Sequence, residues 1–129
     1  MTDLEGLVAA AKDARERAYA PYSGFFVGAA LSAGGRVFTG VNIENASYPL
    51  SVCAERNAVA AMVTAGERRV EAVAVVTDAP TPTPPCGGCR QVLSEFAGSE
   101  AVVVAQTLAG QRAEWTVAGL LPDAFTFDR

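Results

Sequence analysis

The 129-residue chain carries a net charge of −4, is 50% hydrophobic and contains no histidine. That length and apolar content suit one domain of the usual size of roughly 50 to 250 residues, with a real core. The acidic balance, with Lys and Arg scattered, excludes a basic stripe that could track the phosphates of a nucleic-acid polymer. No apolar run approaches the ~20 residues of a bilayer span, and residues 1–5 lack the basic and apolar regions of a secretory signal. No membrane partner and a cytoplasmic location are expected. The missing histidine removes imidazole triads, ligands and general bases, so proton transfer falls to a carboxylate.

Residues 3–19 place Leu4, Leu7, Val8, Ala11, Ala14 and Ala18 at helical spacing, with Thr2 as N-cap and Glu5 as its capping-box partner. The break at Ala20-Pro21-Tyr22-Ser23-Gly24 precedes strands over 25–32 and 36–42, joined as a β-hairpin at Ala33-Gly34-Gly35. A polar loop over 42–49 closes at Pro49. Residues 51–65 then read as a helix stopped at Gly66, with Cys53 at or near its start. Residues 71–77 form a β-branched run with little alternation, which suits a central strand covered on both faces. Pro80, Pro82, Pro84 and Pro85 stiffen the approach to Cys86, which starts a helix over 87–96. Strands over 101–106 and 112–117 flank Ala109-Gly110, and 119–129 is a tail. The order αββαβαββ, without repeat or linker, predicts a single domain over 1–129 of α/β class. Its expected architecture is a three-layer α-β-α sandwich around a mixed sheet of about five strands.

All three cysteines sit in two short motifs, Cys53-Ala54-Glu55-Arg56 and Pro85-Cys86-Gly87-Gly88-Cys89. An odd number of thiols in a reducing compartment argues against a disulfide framework. Cys86 and Cys89, at i and i+3 of a helix start, turn both sulfurs toward one point, where the helix N-terminus favours thiolates. Cys53 on a second helix start completes a three-thiolate zinc site if the helices pack side by side. Three protein ligands leave one position open, the pattern of catalytic rather than structural zinc. The plainer alternative is a structural zinc knuckle or redox pair at Cys86 and Cys89, with Cys53 an ordinary buried cysteine.

Glu55 lies two residues beyond Cys53, near the metal without ligating it, where a carboxylate can carry protons between water and substrate. Arg56 has a charge argument: three thiolates around a +2 ion leave one net negative charge, which a guanidinium donating to sulfur offsets. A solvated helix glutamate and a surface arginine are the alternatives.

Cys-Ala-Glu-Arg followed by Pro-Cys-x-x-Cys resembles the zinc-dependent cytidine deaminases of the small, homotetrameric, three-cysteine type. The similarity runs from Tyr19-Ala20-Pro21-Tyr22-Ser23 to Leu120-Leu121-Pro122-Asp123-Ala124-Phe125. It implies one zinc per chain and a role in pyrimidine salvage. In that reaction Glu55 takes a proton from the activated water, protonates N3 as C4 is attacked, and delivers a proton to departing ammonia. It also implies that Phe25 lies against the nucleoside and that Asn42 and Glu44 bind the ribose hydroxyls. The Ala54 backbone N–H is then a donor to the base carbonyl, and Phe125 enters the site of a neighbouring subunit. Tyr48 takes no catalytic role. Without the resemblance, Phe25 reads as core, Asn42 as a turn residue, and Phe125 with Phe127 as pins for the tail. The function implied is deamination of cytidine and 2'-deoxycytidine. The alternatives are a blasticidin-type nucleoside-antibiotic deaminase and a non-enzymatic zinc or thiol protein.

Overall fold

The computed structural model describes residues 3–127. Thr2 lies outside them, and the first helix, α1 (Leu4–Arg15), is capped instead by Asp3, whose side chain accepts from the Gly6 N–H at 2.9 Å. Glu5 faces away from that cap and pairs with Arg112 at 2.6 Å. The helix stops short of the predicted 19 because Glu16, Arg17 and Ala18 donate to carbonyls three residues back, tightening the last turn.

The hairpin forms as predicted. β1 (Val27–Ala33) and β2 (Arg36–Val41) meet at Gly34 and Gly35, whose φ values of 59° and 76° are the left-handed pair a two-residue turn demands. Residues 25 and 26 stay outside β1 because the Asn42 side chain, not a neighbouring strand, takes the Phe25 carbonyl at 2.7 Å. The loop that follows is more ordered than its composition suggests. Ile43 bridges to both Tyr19 and Val52, and Tyr48–Leu50 makes one 3-10 turn. Pairing with Ile43 keeps Val52 extended, so α2 (Ala54–Thr64) starts three residues later than predicted, with Cys53 as N-cap and Gly66 at φ 99° just beyond its end.

β3 (Val70–Thr77) leads through the proline loop into α3 (Gly87–Phe96), whose bounds match the prediction. α3 passes without a loop into β4 (Ala97–Thr107), longer than the expected 101–106 because Ala97 pairs with Val70 ahead of a register shift. β5 (Arg112–Thr116) ends where Thr116 caps a short helix, α4 (Val117–Leu120), so a helical turn precedes the tail.

The sheet has five strands in the order β2-β1-β3-β4-β5, mixed because only β3 and β4 are parallel. Alternation sorts its side chains onto two faces. Leu7, Val8 and Ala11 of α1 cover Ala30, Ala72, Ala74, Val76 and Val104. Ala54, Ala58, Val59 and Met62 of α2, with Leu93 of α3 and Val117 and Leu120 of α4, cover Ala29, Leu31, Val73, Val75 and Val103. The predicted three-layer α/β sandwich is thus present. Small residues set the layer spacing: a methyl on Gly40 would strike the Ala54 carbonyl and the Ala58 N–H. Because α2 runs back along the sheet before β3 and α3 follows it, both helix N-termini lie at the carboxyl end of β3, the position at which open α/β sheets bind ligands.

Candidate active site

Two helix starts converge at that end. Cys53 is the N-cap of α2 and Cys86 the N-cap of α3, and neither thiol is used to cap its helix. Cys89, one turn into α3, is fully buried. Cys53 Sγ lies 3.8 Å from Cys86 Sγ, which lies 3.4 Å from Cys89 Sγ, and the three sulfurs fall within 4.8 Å of one another. A tetrahedral ion with bonds of about 2.3 Å spaces its ligand sulfurs by about 3.8 Å, so the cluster fits zinc in both chemistry and size. No cysteine is in a disulfide. The three thiols predicted as ligands are the ones brought together.

The cluster is electrostatically uneven. A hydrogen bond from Cys89 pulls the Cys53 thiol down to about 5, assisted by Arg56 and Cys86. The same shared hydrogen bond, with burial, pushes the Cys89 thiol up. Arg56 Nη2 donates to Cys53 Sγ at 3.4 Å, while its Nε is buried without an acceptor. The guanidinium therefore faces the sulfurs and is not a free surface group.

Glu55 points inward from the first turn of α2 and is 6% exposed. Burial raises its carboxyl to about 7; the charge on Cys53 adds to this, and its own backbone N–H and Arg56 oppose it. Cys53, Cys86 and Glu55 line one cavity of about 400 Å³, within the usual range for small-molecule sites. Ala54 lines it too, and as the first residue of α2 its N–H has no intrahelical acceptor.

The same cavity brings in Phe25, Asn42 and Glu44. Phe25 is 36% exposed, which sets aside its reading as a core residue. Asn42 Nδ2 donates to the Phe25 carbonyl and its Oδ1 accepts from the Val27 N–H at 2.9 Å, so the amide staples this loop to the end of β2. Glu44 is buried and accepts from the N–H groups of Tyr22 and Ser23 and from the Ser23 hydroxyl, which chiefly lowers its pKa. Phe125 lies outside this cavity in its own chain, 68% exposed and edge-on to Phe127 at 5.6 Å. Its carbonyl accepts from Gln91 Nε2 at 3.1 Å.

Tyr48, given no catalytic role from the sequence, also lines the cavity; sequence reasoning missed Ser23 and Thr83, which line it too, and Arg90, whose guanidinium ties the Pro85 carbonyl to that of Leu120. Only Arg90, next to Cys89 in the motif, had a position to signal it.

Residues 1–106 match the family described as the cytidine and deoxycytidylate deaminase zinc-binding region. The chain is 50% identical over 125 residues to a cytidine deaminase of Sporosarcina psychrophila, covering 96% of this chain and 92% of that protein. It is also 50% identical over 125 residues to one of Halalkalibacterium halodurans, covering 96% and 95%. The crystal structure of a cytidine deaminase from Burkholderia pseudomallei superposes with a TM-score of 0.91 at 48% identity, covering 97% of this chain and 100% of that one. With a thiol cluster of zinc dimensions at paired helix starts and relatives along nearly its whole length, the chain belongs to the cytidine and deoxycytidylate deaminase zinc-binding family.

Proposed function

We propose that the chain, as one catalytic domain, hydrolyses cytidine and 2'-deoxycytidine to uridine and 2'-deoxyuridine with release of ammonia, a reaction of pyrimidine salvage. One observation carries this reading: a buried carboxyl held near 7, Glu55, shares a cavity of about 400 Å³ with Cys53 and Cys86 of the three-thiol cluster.

Cys53, Cys86 and Cys89 hold one zinc, which when bound supplies Lewis acidity that makes a water nucleophilic near neutral pH. Glu55 takes one proton from the attacking water and passes it to N3 as the C4–O bond forms. It then moves the second water proton to N4 as the C4–N4 bond breaks, so the products are the uracil nucleoside and ammonia. A carboxyl near 7 suits both halves of this work, accepting and donating at neutral pH. Ala54 N–H donates to the base carbonyl, and the Phe25 ring lies against the nucleoside. Asn42 and Glu44 take the sugar hydroxyls, a neutral amide and a carboxylate that bind a diol and repel phosphate. Arg56 offsets the excess negative charge of three thiolates.

The functional assembly proposed is a homotetramer in which Phe125 completes a neighbouring subunit's pocket. Its support is an exposed Phe125 that does not line its own cavity, and exposed Tyr22, Phe25, Ile43, Tyr48 and Leu50. Among the described residues no helix is long and apolar enough to cross a membrane. Three free thiols gathered as ligands suit a reducing compartment, and the cytoplasm is the proposed location.

Incubating purified protein separately with cytidine and 2'-deoxycytidine tests the activity. Stoichiometric ammonia and the deaminated nucleoside are expected from each. Absence of ammonia from both would overturn the reading.

A further inference from the structure

Glu44 is a buried carboxylate with no cation paired to it among the described residues; hydrogen-bond donors alone balance it. Oε1 accepts from the N–H groups of Tyr22 and Ser23 at 3.0 and 3.1 Å, and Oε2 accepts from Ser23 Oγ. Tyr48 Oη gives the remaining contact to Oε2, at 3.5 Å and from an exposed residue. A carboxylate offers about four acceptor sites, so these donors fill it. Ser23 is the hinge of the set. Its one hydroxyl proton goes to Glu44, and its oxygen accepts from the Phe25 N–H at 3.0 Å. Ser23, Glu44 and Phe25 all line the cavity.

We propose, resting on the deaminase reading above, that Ser23 is a positioning residue for the sugar end of the substrate. It fixes Glu44 relative to Phe25 so that a sugar hydroxyl takes the Oε2 site now facing Tyr48. The long Tyr48 contact is the one that yields, because the other three donors belong to the turn that carries Ser23. One hydroxyl replaces another, and the buried carboxylate never loses a partner. Nucleosides lacking sugar-ring hydroxyls leave the Tyr48 contact in place and gain no hydrogen bond from Glu44, so they bind more weakly. Removing the Ser23 hydroxyl leaves the thiol cluster and Glu55 in place, frees Oε2 to swing, and strips the Phe25 N–H of its acceptor.

The test compares wild type, Ser23→Ala and Ser23→Thr on cytidine and on 2',3'-dideoxycytidine. Ser23→Ala is expected to raise KM for cytidine about tenfold, the effect of one hydrogen bond to a charged group. Its kcat for cytidine is expected to change less than its KM, and its kcat/KM for the dideoxy substrate, which keeps the Phe25 contact but lacks the sugar-ring hydroxyls, to fall less than that for cytidine. Ser23→Thr, which keeps the hydroxyl, restores the cytidine KM. Equal losses on both substrates, or an unchanged cytidine KM, overturn the proposal. Active wild type with either of those results sinks the Ser23 role alone, whereas wild type inactive on cytidine sinks the deaminase reading beneath it.

Discussion

Arg56 Nη2 donates to Cys53 Sγ at 3.4 Å, one helical turn along α2, and so places a permanent positive charge against the thiol that is pulled down to about 5. A charge-assisted hydrogen bond is worth roughly 1.5–3 kcal/mol, and in the role proposed for Arg56 it would oppose the electron density that three sulfurs push onto a bound ion. Arg56→Gln should keep zinc near one per chain and lower kcat roughly tenfold or more, because the ligands stay while the charge goes. Metal analysis and steady-state kinetics on one sample read both quantities. An unchanged kcat would make Arg56 a packing residue.

Cys86 joins the proline loop to α3, and its sulfur lies 3.8 Å from that of Cys53 and 3.4 Å from that of Cys89. Cys86→Ala leaves two thiols, too few to hold a catalytic zinc tightly, and metal-binding energy is partly folding energy. Loss of zinc on dialysis and a lowered melting temperature are expected. Full zinc content with activity would refute the ligand assignment.

Glu44 gives a pH dependence of stability. Its donors, the Ser23 hydroxyl first, depress the folded pKa, so at low pH the unfolded chain binds the proton more readily. The stabilisation from ionised Glu44 is therefore complete above the unfolded value of about 4.3 and disappears as pH falls through the folded pKa. Wild type should exceed Glu44→Gln in urea stability at pH 7, with the gap closing under acid. Loss of zinc in acid affects both proteins, so the difference between them is the quantity to follow. A gap that widens in acid would contradict the role of these donors.

Phe125 is proposed to complete a neighbour's pocket, and complementation tests that proposal. Phe125→Ala retains Glu55, and Glu55→Ala retains Phe125. Co-expressed and co-purified, the two chains should form mixed assemblies more active than the sum of the separate variants. Activity equal to that sum would place Phe125 in its own chain's tail.

The layers and the thiol cluster were legible because local rules carried them. Gly34 and Gly35 dictated the hairpin turn, and the i, i+3 spacing of Cys86 and Cys89 fixed two sulfurs on one helix face. What escaped depended on partners distant in sequence. Asp3 caps α1, and Glu5 reaches Arg112 more than a hundred residues away. Val52 is held extended by Ile43, and Ala97 is drawn into β4 by Val70. Ser23 sits in a turn that any polar residue suits, and only the fold shows its hydroxyl on Glu44.

Glu55→Ala, assayed for zinc and for cytidine turnover on the same preparation, separates metal binding from proton transfer. Glu55 lines the same cavity as Cys53 and Cys86 without being one of the three clustered donors. Zinc should remain near one per chain while turnover falls by a factor of about 100 or more. A variant that loses its zinc, or that keeps both zinc and turnover, would contradict the assignment of Glu55 as the proton carrier.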